Sequence, residues 1–584
     1  MTGLVYSLAR GGDISWLSYY FAEFVARQAG SAIDDLPGLS AALVSEANLA
    51  GNVCVELDRY RTRPLFSSEQ IDAGLIPGNL DSADWCARLH KCSCVGEPHE
   101  NAPLILDGHR LYLGRFWFYE DYVANRIQAM LDDHTATDPQ TIGDHIDALF
   151  ATEKTVDEDQ KSAVLAAASK TFSVISGGPG SGKTSTVIRI LAVLLTLDPA
   201  CRIALAAPTG KAAARMTDSI RQRLDHVDID NSNIKNLPGE ATTLHRLLGY
   251  RRNGFNYDEH NRLPVDCVVI DEASMIDLKL MFHLLAALPE HARLILLGDR
   301  DQLASVAAGN VLGDITGHGH ARDTRVSPLA ASIALLRNNY RFDRDSAIGE
   351  MASLVNQGRS TDAIDLLRRN DAGLRWHCES TDQIDAEALA GLYDAYQPIF
   401  EQDTPEDALG VYESTRVLCA TNWGPCGVES LNSRISSALL ARNQMPESDL
   451  YCGLPIMITR NHHELGLYNG DTGILWQYPQ QGLRACFRDS GGGIRDLAIN
   501  RLPDFTPAWA SSVHKSQGSE FDSVLLILPY DPESEALSRE LIYTAITRAR
   551  QQFILHAAES VVIKAIEKLT RRHSGLAHKL GWPV

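Results

Sequence analysis

No apolar run in this 584-residue chain approaches the roughly 18 residues needed to cross a bilayer. The opening MTGLVYSLARGGDISW also lacks a charged-then-apolar leader pattern. The protein is therefore expected in the cytoplasm, with no membrane partner. A disulfide framework is missing too: the eleven cysteines are odd in number and scattered, which suits a reducing compartment. The densest group, CARLHKCSC, brings Cys86, His90, Cys92 and Cys94 close to His99, but the C-x-C pair has no matching C-x-x-C elsewhere, so no metal site is expected there. Positive charge is scarce as well. With 54 basic and 74 acidic residues the formal net charge is −20, which excludes adhesion of the whole surface to a polyanion. Any nucleic-acid contact must be confined to a groove or shared with a partner. At 45% hydrophobic and 22% charged residues the chain reads as globular, and its length implies several domains.

What is present begins with SGGPGSGKTSTV, Ser176 to Val187. Upstream, TFSVIS reads as a short buried strand; downstream, TSTVIRILAVLLTL carries apolar residues at helical spacing. Glycines at such a strand-to-helix turn, spaced Gly177-x-x-x-x-Gly182-Lys183-Thr184, let backbone N–H groups wrap a triphosphate. Lys183 is expected to reach the β and γ phosphates and the Thr184 hydroxyl to ligate Mg2+. A β/α rhythm then continues through CRIALAAP, VDCVVIDEASMID and ARLILLGDRDQL, each strand delivering polar residues at its C-terminal end, where ligands of parallel sheets bind. Asp271 and Glu272 follow the second of these strands. The aspartate is suited to hold Mg2+ through water, and the glutamate to orient and deprotonate an attacking water. Without that context, DE is only a solvated turn. Gln302 in GDRDQL offers an amide to the γ-phosphate. The expectation is ATP hydrolysis.

The ordered set DEDQKSAV, GGPGSGKT, APTGKAAARM, TLHRLLG, DEAS, GDRDQL, NNYRF, SSVHKSQGSEFD and YTAITRAR resembles superfamily 1 helicases. The wording of APTGKAAAR, TLHRLLG, DEASMIDL, LGDRDQLASV, GLYNGDTGI and VHKSQGSEFD resembles the RecD family, the α subunits of RecBCD exonucleases (exodeoxyribonuclease V) that act on DNA ends. The resemblance covers Asp157 onward well and the first 110 residues only loosely. It implies that Gln160 reads adenine. It also implies a nucleotide site made of Gly177, Gly178, Pro179, Gly180, Ser181, Gly182, Lys183, Thr184, Ser185, Gly518 and Glu520. Arg341 and Arg548 match two arginines that reach the γ-phosphate from a second motor domain, a task suited to a forked, permanent charge. Either could instead be a surface ion pair. Thr209, Lys211, His245, His514, Lys515 and Gln517 match the loops that line the single strand, where short polar and basic groups position phosphates without reading sequence. Taken singly, His245 could be a core histidine and Lys515 a solvated lysine.

The implied fold is α/β, with two RecA-like parallel-sheet motor domains. The expected divisions are an N-terminal partner-docking domain at 1–110, a helical linker at 111–150, motor domain 1 at 151–335, and motor domain 2 at 336–423 and 508–584. Alternating strands around N-G and D-S-G-G-G turns predict a small antiparallel barrel inserted at 424–507, SH3-like by the resemblance. Too little chain follows AITRAR for a nuclease domain, so a nuclease is expected on another subunit. The reading is an ATP-dependent, Mg2+-requiring 5′-to-3′ DNA helicase acting on single strands and duplex ends, assembled with RecB-like and RecC-like subunits as a heterotrimer. The polarity comes from the resemblance alone. A free-standing RecD-like or RNA-directed helicase, or an ATP-switched regulatory subunit, are the alternatives.

Overall fold

The computed structural model describes residues 3–68, 71, 77–133, 139–151, 156–224, 238–252, 254–317, 327–340, 346–378, 386–489 and 493–583. Helices α1 (Leu4–Gly11), α2 (Trp16–Ala29) and α3 (Leu36–Leu49) precede a four-stranded sheet ordered β1-β4-β3-β2. Its strands are β1 (Cys54–Glu56), β2 (Val95–Gly96), β3 (Leu104–Asp107) and β4 (Arg110–Leu113). Because β4 pairs with β1 and β3, the N-terminal unit runs to Leu113, past the expected boundary at 110. Cys86 and Cys92 are half-buried and Cys94 is buried in this unit. No group of three or more His, Cys, Asp or Glu side chains among the described residues is arranged to hold a metal. Helix α5 follows, after α4 (Ser82–Leu89), over Gly114–Asp132, and α6 covers Pro139–Phe150.

A six-stranded parallel sheet comes next, ordered β12-β5-β11-β10-β6-β7: β5 (Phe172–Gly177), β6 (Ile203–Ala207), β7 (Thr242–Thr243), β10 (Cys267–Ile270), β11 (Arg293–Gly298) and β12 (Ile333–Leu336). Every residue of β5 and β10 is buried, as parallel strands covered on both faces require. Helices α7 (Glu158–Ser169), α8 (Lys183–Leu197) and α9 (Gly210–Leu224) flank the sheet. Asp157 caps α7, accepting from the Asp159 and Gln160 amides. A small hairpin of β8 (Tyr250–Arg251) and β9 (Gly254–Phe255) lies outside it.

A second parallel sheet, ordered β13-β22-β21-β14-β20, comprises β13 (Leu374–His377), β14 (Thr415–Cys419), β20 (Ala510–Ser512), β21 (Phe521–Ile527) and β22 (Ala549–His556). Between β14 and β20 the chain makes an antiparallel sheet ordered β18-β17-β16-β15-β19, from β15 (Pro455–Ile458) through β16 (Thr472–Tyr478), β17 (Gly482–Arg488) and β18 (Ile494–Ala498) to β19 (Phe505–Pro507). This sheet starts at Pro455, later than the expected 424. The intervening helix Val428–Arg442 belongs to the second parallel sheet, because Asn432 exchanges hydrogen bonds with the Ala510 backbone of β20 at 2.9 and 3.2 Å.

The segment Thr570–Trp582 corrects the assignment of 508–584 to the second motor unit. It leaves the second sheet and returns across the first sheet and the N-terminal unit. Arg572 Nη1 donates to the carbonyls of Ala307 (2.7 Å) and Gly309 (3.0 Å), the Val53 amide donates to the His573 carbonyl (2.8 Å), and Trp582 Nε1 donates to the Ile315 carbonyl (3.0 Å). Among the described residues no helix is long and apolar enough to cross a membrane.

Candidate nucleotide site and strand path

The turn after β5 has the backbone that its glycines permit. Gly180 and Gly182 have φ of 81° and 85°, left-handed values that cost a side chain, and Gly182 is the N-cap of α8. A Cβ on Gly177 would lie 2.5 Å from Ser181 Oγ. Lys183 Nζ donates to the carbonyls of Gly177 (2.7 Å) and Gly178 (3.1 Å), so the ammonium lies under the turn. Ser181 is buried and its Oγ has no hydrogen-bond partner among the described residues. Ser185 and Thr184 follow on the first turn of the helix.

A cleft of about 670 Å³ opens above this turn, lined by both parallel sheets. The first sheet contributes Lys183, Thr184, Asp271, Glu272 and Gln302; the second contributes Gly518, Glu520 and Arg548. Asp271 and Glu272 sit directly beyond β10, and Glu272 has φ of 54°, a left-handed conformation that is strained for a side chain. Burial pushes the Asp271 carboxyl well above the usual carboxylate range, the Glu272 carboxylate pushes it further, and Lys183 opposes both. Asp299 behaves likewise: burial raises it, Asp301 adds to the rise, and Lys183 again opposes it. One ammonium thus faces two buried acids.

One side of the cleft is formed by Gln160, Arg189 and Tyr340. Gln160 is buried; its Oε1 accepts from Arg189 Nη1 at 2.7 Å, and Arg189 lies 4.7 Å over the Phe150 ring. Tyr340 is 62% exposed at the rim, anchored by its amide to the Gly180 carbonyl (2.8 Å) and by its hydroxyl to Asp157. Arg341, next in the chain, lies outside the described residues. Arg548 is buried, donating to the Ser519 carbonyl (3.0 Å) and the Thr544 carbonyl (3.2 Å). Gly518 has φ of 68°, and its carbonyl accepts from Arg215, which also pairs with Glu520 at 3.5 Å.

Two residues that the motifs contain but the sequence reading assigns no role join the sheets. Tyr543 Oη donates to Asp299 Oδ2 (3.0 Å), which also accepts from Gln302 Nε2 (2.9 Å). The same hydroxyl stands 2.9 Å from where a Cβ on Gly178 would be. Their signal was an acid and a phenol within recognised motifs, but nothing in the spacing pairs them.

The proposed strand contacts are not uniform. Thr209 Oγ1 accepts from the Ala212 amide (3.2 Å) at the start of α9. Lys211 is half-buried, and burial, with Arg416 and Arg215 nearby, pulls its pKa down to about 8. His245 meets Tyr250 edge-on at 5.6 Å beside the small hairpin, and partial desolvation of its ring lowers its pKa. His514 is half-buried with a lowered pKa, from burial first and Arg572 second, while Lys515 is exposed. Gln517 differs: it is buried, and its Nε2 donates to the Leu303 carbonyl of the first sheet's loop at 2.8 Å, so its amide joins the two sheets rather than facing an open groove.

Known families match three stretches of the chain: the RecBCD enzyme subunit RecD N-terminal domain at 11–112, an AAA domain at 160–308, and the UvrD-like helicase C-terminal domain at 507–556. The RecBCD enzyme subunit RecD of Mycobacterium tuberculosis (strain CDC 1551 / Oshkosh) is 35% identical, covering 99% of this chain and 97% of its own. That of Haemophilus influenzae is 32% identical over 99% of each. Among solved structures, Bacteroides Pif1 bound to single-stranded DNA aligns with 69% of this chain and 92% of its own, at 16% identity and a TM-score of 0.39. With more than 30% identity sustained over nearly the full length of both chains, this chain belongs to the family of RecD subunits of RecBCD enzymes.

Proposed function

We propose that the chain is the ATP-driven motor of a RecBCD-type helicase–nuclease, moving 5′ to 3′ on single-stranded DNA from duplex ends, beside RecB-like and RecC-like subunits. One observation carries this reading: a single cleft receives Lys183, Asp271, Glu272 and Gln302 from one parallel sheet and Arg548 from the other. Hydrolysis there depends on how the two sheets meet, and ties turnover to motion. Lys183 and the amides of Gly178 to Thr184 hold the phosphates; Gln160 and the Tyr340 ring hold the base; Glu272 accepts a proton from the attacking water; Arg548 neutralises charge on the transferred phosphoryl group. Thr184 and Asp271 would hold Mg2+, and the surplus of buried carboxyls over ammonium groups fits a divalent cation. That ion would supply charge to the phosphate oxygens.

Thr209, Lys211, His514 and Lys515 carry the strand along the loops beside the cleft. Arg416 and Arg215 disfavour the charge on Lys211, and a strand phosphate relieves that. We read the Pro455–Pro507 sheet as an SH3-like insertion that helps hold the strand. In support, a Cβ on Gly210 would lie 2.8 Å from the Tyr468 ring, and Asp471 stands near Lys211. The docking surface for a companion subunit is placed on α2, where Trp16, Leu17, Tyr20 and Phe24 are exposed together on one face. The test of the motor is ATP hydrolysis by the full chain with and without single-stranded DNA. Stimulation by the strand, abolished in a folded Lys183→Gln variant, is the expected result; near-normal turnover in that variant removes the phosphate turn from the chemistry.

A further inference from the structure

The eight tryptophans divide sharply by environment. Trp85, Trp117, Trp509 and Trp582 are buried, Trp376 and Trp476 pack partly buried against cores, and Trp16 sits in an aromatic cluster with Tyr6, Tyr19 and Tyr20. Trp423 stands apart. It is 71% exposed and makes no ring or cation contact among the described residues. An indole left bare is held there by a rigid backbone rather than by packing. Thr421 Oγ1 donates to the Trp423 carbonyl (3.0 Å), and the amides of Gly427, Val428 and Glu429 donate to the carbonyls of Gly424 (3.0 Å), Thr421 (3.1 Å) and Asn422 (3.2 Å). Gly424 has φ of 90°, and a Cβ on Gly427 would lie 2.5 Å from the Trp423 carbonyl, so both glycines are required by this turn.

The turn's place in the sheet gives the ring its occupant. It leaves the C-terminal end of β14, whose Cys419 is in register with Ser512 of the edge strand β20, and the Val513 amide donates to the Cys419 carbonyl at 3.1 Å. After Val513 come His514 and Lys515, two of the strand contacts named above. The exposed indole and the exposed ammonium of Lys515 therefore belong to adjacent loops on one edge of the second sheet. A lone aromatic in a polar turn, on the loop next to one that carries a cation, suits a nucleobase, whose flat face stacks while its phosphate meets the lysine. A protein-docking patch groups several apolar side chains, as α2 does.

We propose that Trp423 is a base-stacking platform for single-stranded DNA on the second sheet. This rests on the strand-path reading above. The full chain is titrated with an oligothymidylate and with an abasic strand of equal length, following tryptophan fluorescence and binding. Trp423→Ala should weaken oligothymidylate binding about tenfold and remove most of the quenching, while leaving abasic binding unchanged; Trp423→Phe should restore most of the affinity. Lys515→Ala should weaken both strands alike and lower the salt dependence. If Trp423→Ala binds oligothymidylate as tightly as the parent while Lys515→Ala weakens both, the platform is wrong and the path survives. If Trp423→Ala instead loses only assembly with companion subunits, the ring is a protein contact and the platform is wrong. If the unaltered chain binds neither strand, the path itself fails, and the platform with it.

Discussion

Glu272 shows how local sequence can place an acid at the cleft. A buried strand, CVVI, ends where the chain must leave the sheet, and the acid two residues later takes a left-handed conformation that holds its carboxylate at the cleft. Glu272→Gln preserves size and backbone but removes the proposed base. Turnover should fall by about a hundredfold or more while nucleotide affinity holds; a variant with parental turnover places the base elsewhere. Residues such as Lys183, Asp271 and Glu272 were legible because strand, turn and helix are written in neighbouring letters. Asp299 and Tyr543 were not, because their hydrogen bond joins residues 244 positions apart and exists only once the two sheets meet. The junction role of Gln517 was hidden for the same reason: its buried amide reaches the Leu303 carbonyl of the other sheet's loop.

At the scale of elements, the least legible piece is the returning segment Thr570–Trp582. Its local composition is basic, yet its partners lie hundreds of residues away. The Gly575 amide and Ser574 hydroxyl donate to buried Glu120 at 2.8 and 2.9 Å, and Lys579 lies 3.6 Å from the same carboxylate. Asp314, on the short helix Val311–Thr316 beneath this segment, is buried with one carboxylate oxygen unpartnered among the described residues. Burial raises its pKa from 3.8 to about 8, Glu120 adds to the rise, and the Ser574 hydroxyl and Arg572 oppose it. The fold thus accepts the neutral carboxyl. The associated stability is full below the unfolded value near 3.8 and is lost as pH rises toward about 8. Asp314→Asn keeps the shape and cannot ionise. Thermal unfolding should show its melting temperature above the parent's at pH 8 and close to it at pH 4; an equal offset at both would show that Asp314 is not titrating across that range.

The whole molecule explains why the N-terminal unit is not a detachable module. Val53, Cys54, Ile105 and Tyr112 share a core with strands of the first parallel sheet, and the Gly309 amide donates to the Gly51 carbonyl at 3.0 Å. Deleting residues 1–110 would therefore open that core. A surface change tests docking more cleanly: Tyr20→Asp on α2 should sharply reduce co-purification with RecB-like and RecC-like subunits and leave DNA-stimulated hydrolysis intact. Undiminished co-purification moves the docking surface off α2.

The order of the two sheets and their motifs was legible because each sheet is written as strands ending in polar turns. The closure between them was carried by the resemblance that assigned Arg548 to a second motor domain and not by any local spacing, since its side chains meet the cleft from the far sheet. Closure is the central claim, and Arg548→Ala tests it most directly through paired measurement of nucleotide affinity and strand-stimulated turnover. The account predicts turnover lower by about a hundredfold or more with affinity nearly unchanged, because this arginine acts on the transition state. Equal losses in both, or no loss in either, would contradict a cleft shared by the two sheets.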